Sequence, residues 1–209
     1  MKQLSEKVIK RLTLYHFILS EYQQSGLEYI SSPKIADLLN IDNSQVRKDI
    51  RLVDHIGKCK IGYEVNSLKT SIETFLGFPS HKKAFIVGAG NLGTALVKYE
   101  DLKDYGLDVV AFFDNNPLKI GMKLNSKEVY NINELPAFIK KTNVKIAILA
   151  VPKEVAQDCA VFLAKAGIKY IWNFTPRVLK VDKSVKIWNE NLIGNFLQFV
   201  SEEKKHSET

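Results

Sequence analysis

The stretch FIVGAGNLG, residues 85–93, sets the reading of the whole chain. A run of apolar, strand-favouring residues ends in Gly88, Gly90 and Gly93, and Thr94, Ala95, Leu96 and Val97 continue as a helix. Each glycine has a physical task in such a turn. Gly88 permits the sharp reversal, Gly90 lets a pyrophosphate approach the backbone, and Gly93 lets the helix lie against the strand, whose following helix aims its free amides at the phosphates. Twenty-one residues beyond Gly93, Asp114 closes the run DVVAFFD. Its carboxylate suits the hydroxyls of an adenosine ribose and repels a 2′-phosphate. The spacing therefore predicts an NAD(H) site built from Gly88, Ala89, Gly90, Asn91, Leu92, Gly93 and Asp114. The plain alternative is a strand-to-helix turn with no ligand.

Working outward from this motif, strand-like and helix-like runs alternate: KAFIVG, a helix, DVVAFFD, a loop with Pro117 and Gly121, a helix over Leu135 to Lys140, VKIAILAV, a helix, YIWNF and VKIW. Such alternation predicts a doubly wound parallel sheet with helices on both faces. After VKIW only about twenty residues remain, too few for a substrate domain. No general acid for hydride transfer stands out. Tyr99 and Lys103 have a Y-x-x-x-K spacing but fall in the helix after the glycine loop, and His16, His55, His81 and His206 sit at no strand end. The nucleotide is expected to act as a signal, and the protein is not expected to be an enzyme.

The eighty or so residues before the glycine loop read as helices. Leu4, Val8, Leu12, Tyr15 and Leu19 form one amphipathic stripe. In SSPKIADLLNIDNSQVRKDIRLV, Ser32 with Pro33 predicts one helix start, and Asp42 with Gln45 three residues on has the spacing of a capping box for a second. Two short helices joined by about four residues make a helix-turn-helix. On the second helix Val46, Ile50 and Val53 form the core stripe, while Ser44, Gln45, Arg47, Lys48 and Arg51 point outward. GKCKIGYEV then suggests a β-hairpin wing carrying Lys58 and Lys60. The expectation is a winged helix-turn-helix that reads DNA through the first five residues and meets phosphates through the wing. A solvated helix with ordinary charges is the alternative.

Bulk properties restrict the choices without making them. The formal charge of +7 is spread along the chain, with 11 Lys/Arg against 9 Asp/Glu in residues 1–80 and 19 against 14 in residues 81–209. Net charge therefore localises nothing, whereas residues 44–60 hold five basic residues against Asp49 and Asp54. No apolar run approaches the ~20 residues of a membrane span. The charged start MKQLSEKVIKRL has no secretory apolar core, so a cytoplasmic location is expected. Cys59 and Cys159 fit no disulfide framework or metal spacing, and no metal site is expected.

The motifs QVRKDI, GKCKIGYEV, VGAGNLGTALVKY, FFDNNPLKIG, AVPKEVAQ and AGIKYIWNFTP, in this order from about Arg11 to Phe199, resemble the redox-sensing transcriptional repressors called Rex. The resemblance implies a winged-helix domain (1–79), a Rossmann domain (80–189) and a C-terminal helix and tail (190–209) swapped within a homodimer. It also implies binding to an inverted-repeat operator in double-stranded DNA, release when NADH binds, and a nicotinamide-side role for Tyr99. The apolar tail NLIGNFLQFV fits a helix that a partner covers. The chain departs from the family where R-K-D-L is usually followed by Ser-Tyr-Phe-Gly and where the wing reads G-K-R-G-x-G-Y; here stand Arg51-Leu52-Val53-Asp54 and Cys59-Lys60. Phe17 and Asn191 occupy the positions of an arginine and an aspartate that pair across the family's NADH-bound dimer. A repressor of the same fold with a weak or lost NADH response, a small NAD-dependent oxidoreductase, and a CoA- or nucleotide-binding module remain the alternatives.

Overall fold

In a computed structural model that describes residues 5–98 and 101–207, the chain divides into two units, Met1–Ser80 and His81–Thr209, each with its own core. Leu4, Tyr99 and the last two residues lie outside the described residues.

The first unit is built on α1 (Glu6–Gln24), capped by the Ser5 hydroxyl and burying Leu12, Tyr15, Ile18 and Leu19. Strand β1 (Tyr29–Ile30) leads into α2 (Ser32–Leu39), α3 (Asn43–Leu52), β2 (Tyr63–Glu64) and α4 (Val65–Leu76). Val46 and Ile50 of α3 and Val53 just beyond it enter a core with Ile35, Leu68 and Ile72, as their spacing predicts. Two local details differ from the sequence reading. Ser31, with extended backbone, caps α2 in place of Ser32, which is buried. Asp42 does cap α3 and accepts from the Ser44 amide, but Gln45 turns away from it and donates to Asp49, so the capping box is not closed. The wing hairpin is minimal: one reciprocal antiparallel Lys58–Gly62 pair closes its turn, and β2, which follows, runs antiparallel to β1.

The second unit begins with β3 (Lys82–Val87), followed by α5 (Asn91–Lys98), the short α6 (Asp101–Asp104), β4 (Leu107–Asp114), β5 (Lys123–Leu124), β6 (Lys127–Asn131), α7 (Leu135–Thr142), β7 (Ile146–Leu149), α8 (Lys153–Ala166), β8 (Tyr170–Asn173), β9 (Lys186–Asn189) and α9 (Leu192–Ser207). The sheet order is β5-β6-β4-β3-β7-β8-β9, with every pairing parallel except β5 with β6. Alternate residues of β3 feed opposite faces: Phe85 and Val87 join the layer under α7 and α8, while Ala84 and Ile86 join the layer with Leu96 and Val97 of α5. The segment read from sequence as a loop contains β5 and β6. In β6 only Val129 is fully buried, and a strand so polar carries too weak an apolar signal to be recognised. Among the described residues no helix is long and apolar enough to cross a membrane.

Candidate nucleotide cleft and nucleic-acid interface

The strand order reverses between β3 and β7, and in open α/β sheets ligands bind at such a point beyond the carboxyl ends of the strands. Gly88 stands there with φ of +103°, and a Cβ on it would strike the Ala150 carbonyl after β7. A Cβ on Gly93 would strike the Gly88 carbonyl, so the helix reaches the turn only as glycine. Gly90 differs: a Cβ there would meet nothing within 4 Å. Its bare backbone faces a cleft of about 310 Å³ lined by Gly88, Gly90, Asp114, Asn116, Lys119 and Cys159, among others.

Asp114 overhangs this cleft. Its carboxylate accepts from the amides of Ala89 at 2.8 Å and Asn116 at 2.9 Å, with Lys119 Nζ at 3.5 Å. Burial alone would raise its pKa, but the Asn116 and Ala89 amides and the Lys119 ammonium outweigh that and hold it below the ordinary carboxylate range. Ionised oxygens with spare lone pairs can still accept the hydroxyls of a ribose. Cys159, in the same cleft, is the reverse case: burial, with Asp158 and Asp114 nearby, pushes its thiol up and away from thiolate reactivity. Lys119 and Asn116 were not singled out from sequence; their only signal is position directly after the acidic strand end. Among the described residues no cluster of three or more His, Cys, Asp or Glu could hold a metal.

In the helical unit, Ser44, Arg47, Lys48 and Arg51 of α3 are exposed, as are Lys58 and Lys60 in the wing turn. Gln45 is half-buried. Lys58 donates to the Tyr29 hydroxyl at 2.9 Å, which ties the turn to β1 and raises the lysine pKa. Asp49, counted from sequence as a charge offsetting this patch, is buried and bonded to Arg11 at 2.6 and 2.9 Å. The outward face is thus more basic than its composition suggests.

Comparison with known proteins follows this division. The profile described as "CoA binding domain" matches residues 79–177, and that described as "Putative DNA-binding protein N-terminus" matches residues 3–50. A curated relative from Treponema denticola, named redox-sensing transcriptional repressor Rex, is 42% identical over 90% of each chain. The same-named protein of Clostridioides difficile is 39% identical over 91% of each. The chain belongs to the Rex family of redox-sensing transcriptional repressors. Among solved structures, the Rex-family repressor RSP in complex with β-NAD+ and operator DNA superposes with a TM-score of 0.86 at 34% identity, covering all of this chain and 95% of that one. RSP in complex with β-NADH gives 0.85 at 34% identity, covering 100% and 97%. The curated relatives of this chain are named as transcriptional repressors, so the family is one of regulators.

Two positions at which the chain departs from the Rex pattern have left-handed backbone. Asp54 and Lys60, at usual glycine positions, keep left-handed φ values of 52° and 62°. Asn191 caps the final helix, its side-chain oxygen accepting from the Gly194 amide at 2.9 Å. Phe17 is 43% exposed on α1.

Proposed function

We propose that this chain is a homodimeric repressor that binds inverted-repeat operator DNA and senses the NADH/NAD+ balance, with NADH favouring release. The observation that carries the reading is the pairing, in one chain, of an exposed basic face on α3 with an open backbone cradle at Gly90 beneath the ionised Asp114. Residues 1–79 would read DNA and residues 80–189 hold the dinucleotide, its pyrophosphate on the amides of Gly88 to Gly93 and its adenosine ribose on Asp114. Tyr99, which the family resemblance puts at the nicotinamide, lies outside the described residues. Residues 190–209 would supply the dimer contact: Ile193, Phe196, Leu197 and Phe199 of α9 are each about 60% exposed, an apolar surface that a second copy would cover.

The name of the profile over 79–177 suggests CoA as another ligand. CoA carries a phosphate on the adenosine ribose, as NADP(H) does, and either would bring a like charge to Asp114; NAD(H) keeps both hydroxyls free and fits better. The test is selection of genomic duplexes by the purified protein, with and without NADH. Recovery of an inverted repeat that NADH diminishes is the expected result. Recovery of no common sequence would defeat the DNA reading, and equal affinity for NADH, NADPH and CoA would defeat the assignment of Asp114.

A further inference from the structure

The buried Asp49 belongs to neither candidate binding surface, yet its carboxylate accepts four hydrogen bonds. Oδ2 accepts from Arg11 Nε at 2.6 Å and from the Tyr15 hydroxyl at 2.9 Å. Oδ1 accepts from the second Arg11 nitrogen at 2.9 Å and from Gln45 Nε2 at 2.9 Å. Two oxygens offer about four lone-pair sites, and four donors occupy them. Asp49 is 1% exposed and Tyr15 0% exposed, so the cluster forms a fixed internal wall behind the start of α3.

The consequence falls on Gln45. A carboxylate only accepts, so Gln45 must present its NH2 group to Asp49, and the two amide orientations cease to be equivalent. One N–H is used in that bond. What remains is the second N–H and the carbonyl oxygen, held on a half-buried side chain at the third residue of α3. That turn is the part of a recognition helix that meets base edges. A donor beside an acceptor complements the N7 and N6 amino group of adenine; guanine presents two acceptors there and would leave the carbonyl facing O6.

We propose that Gln45 is a specificity-determining residue that reads an adenine in the major groove, and that Arg11, Tyr15 and Asp49 are the positioning residues that aim it. The proposal rests on the DNA-reading function above. It separates α3 into two kinds of contact: Gln45 is aimed from behind by the protein, whereas Arg47, Lys48 and Arg51 are exposed and adapt to phosphates or bases on arrival.

Full-length protein is first used to select its duplex from a random pool, and relative affinity is then measured with each half-site position changed in turn to the other three base pairs. Selection of no sequence by the unmodified protein would defeat the DNA reading itself, not this assignment. Given a selected site, Gln45→Ala should lower discrimination at one symmetric pair of A·T positions by about 5- to 150-fold, leaving other positions and the salt slope unchanged. Arg11→Gln with Asp49→Asn, which keeps the cluster neutral, should lose preference at the same position, and adding Gln45→Ala should cost little more. Tyr15→Phe, which deletes one hydrogen bond and leaves the fold intact, should give a smaller loss there. A purely structural role would weaken all sequences alike. Undiminished discrimination in Gln45→Ala overturns the reader; a Tyr15→Phe protein that loses affinity uniformly, or keeps full preference at the Gln45 position, overturns the positioning role.

Discussion

Each unit of the chain holds an ionised carboxylate set among donors, Asp49 buried and Asp114 half-buried, and the two are built from different materials. Asp49 is held by side chains, from Arg11, Tyr15 and Gln45. Asp114 is held mainly by the backbone amides of Ala89 and Asn116. In both, burial would raise the pKa and the surrounding donors overcome it. Backbone donors are present whatever the neighbouring residue types, so the setting of Asp114 depends on chain geometry. Side-chain donors must each be the right residue, so the setting of Asp49 depends on identities 34 and 38 positions away. The first arrangement tolerates substitution around the acid and the second does not.

The comparison breaks most visibly at Asp49. Replacing it by Ala strands the Arg11 guanidinium, the Tyr15 hydroxyl and the Gln45 amide at a buried site, a change expected to cost about 3 kcal/mol, with the partial exposure of Arg11 setting the lower end of the usual range. Denaturant unfolding of the helical unit measures it. Acid should act in the same direction. The folded-state pKa values of Asp49 and Asp114 both lie below their unfolded ones, so their contribution is complete above about pH 4 and is lost as pH falls through the folded values. The Asp49→Ala protein should show a shallower acid slope than the unmodified chain.

At Asp114 the effect should appear in binding. Losing hydrogen bonds from a ribose to a charged acceptor costs about 1.5 to 3 kcal/mol, so Asp114→Ala should weaken NADH by roughly 10- to 100-fold and narrow its advantage over NADPH. Calorimetric titration reads both numbers. Folding should suffer less than at Asp49, because Asn116, whose amide is one of the two donors left behind, lines the cleft, where water can reach it.

The same contrast explains what could be read in advance. The turn at Gly88 and Gly93 and the strand end at Asp114 were legible because a strand-turn-helix unit of this kind imposes a fixed spacing. The core stripe Val46, Ile50 and Val53 was legible through its period. From sequence Asp49 counts only as a charge set against the basic cluster, although it stands three residues after Val46 and four before Val53, on the buried side of the same wheel; an acid there needs a basic partner, and Arg11 and Tyr15 lie one turn apart on α1. Only the tertiary packing of α1 on α3 selects that partner. Strands β5 and β6 escaped for a different reason, since short polar strands at the margin of a sheet take their stability from neighbours and not from their own pattern.

The third effect concerns the switch. A ligand shifts an equilibrium only by its differential affinity for two states, and the charge pair that the family resemblance places across the NADH-bound dimer is replaced here by Phe17 and Asn191. Loss of a charge-assisted pair removes about 1 to 2 kcal/mol of preference for the DNA-releasing form, roughly a 5- to 30-fold change in population ratio. NADH is therefore expected to bind yet release operator incompletely, and Phe17→Arg with Asn191→Asp to restore release. Asp caps a helix about as well as Asn, so the second substitution leaves the Gly194 bond in place and reports the charge alone. Gel-shift titration measures the response; full release by the unmodified protein at saturating NADH would show that apolar contact from Phe17 serves equally well.

The smallest effect, and the one that best separates backbone from side chain, lies in the wing. Asp54 and Lys60 both hold left-handed backbone, but Asp tolerates that region through local hydrogen bonding and Lys does not. The strain at Lys60 is of the order of 1 kcal/mol, and it keeps a positive charge at the turn. Lys60→Gly should therefore move two measurements in opposite directions: stability rises by about 0.5 kcal/mol after the extra chain entropy of glycine, while the salt slope of DNA binding falls by about one. Lys60→Asn keeps most of the backbone tolerance without the flexibility of glycine and should show the same fall in slope. Lys58→Ala also removes a charge, but it frees the Tyr29 hydroxyl and loosens the turn, so its loss of affinity comes with a loss of stability. An unchanged salt slope in both Lys60 variants would mean that the strained lysine meets no phosphate and that the turn serves folding alone.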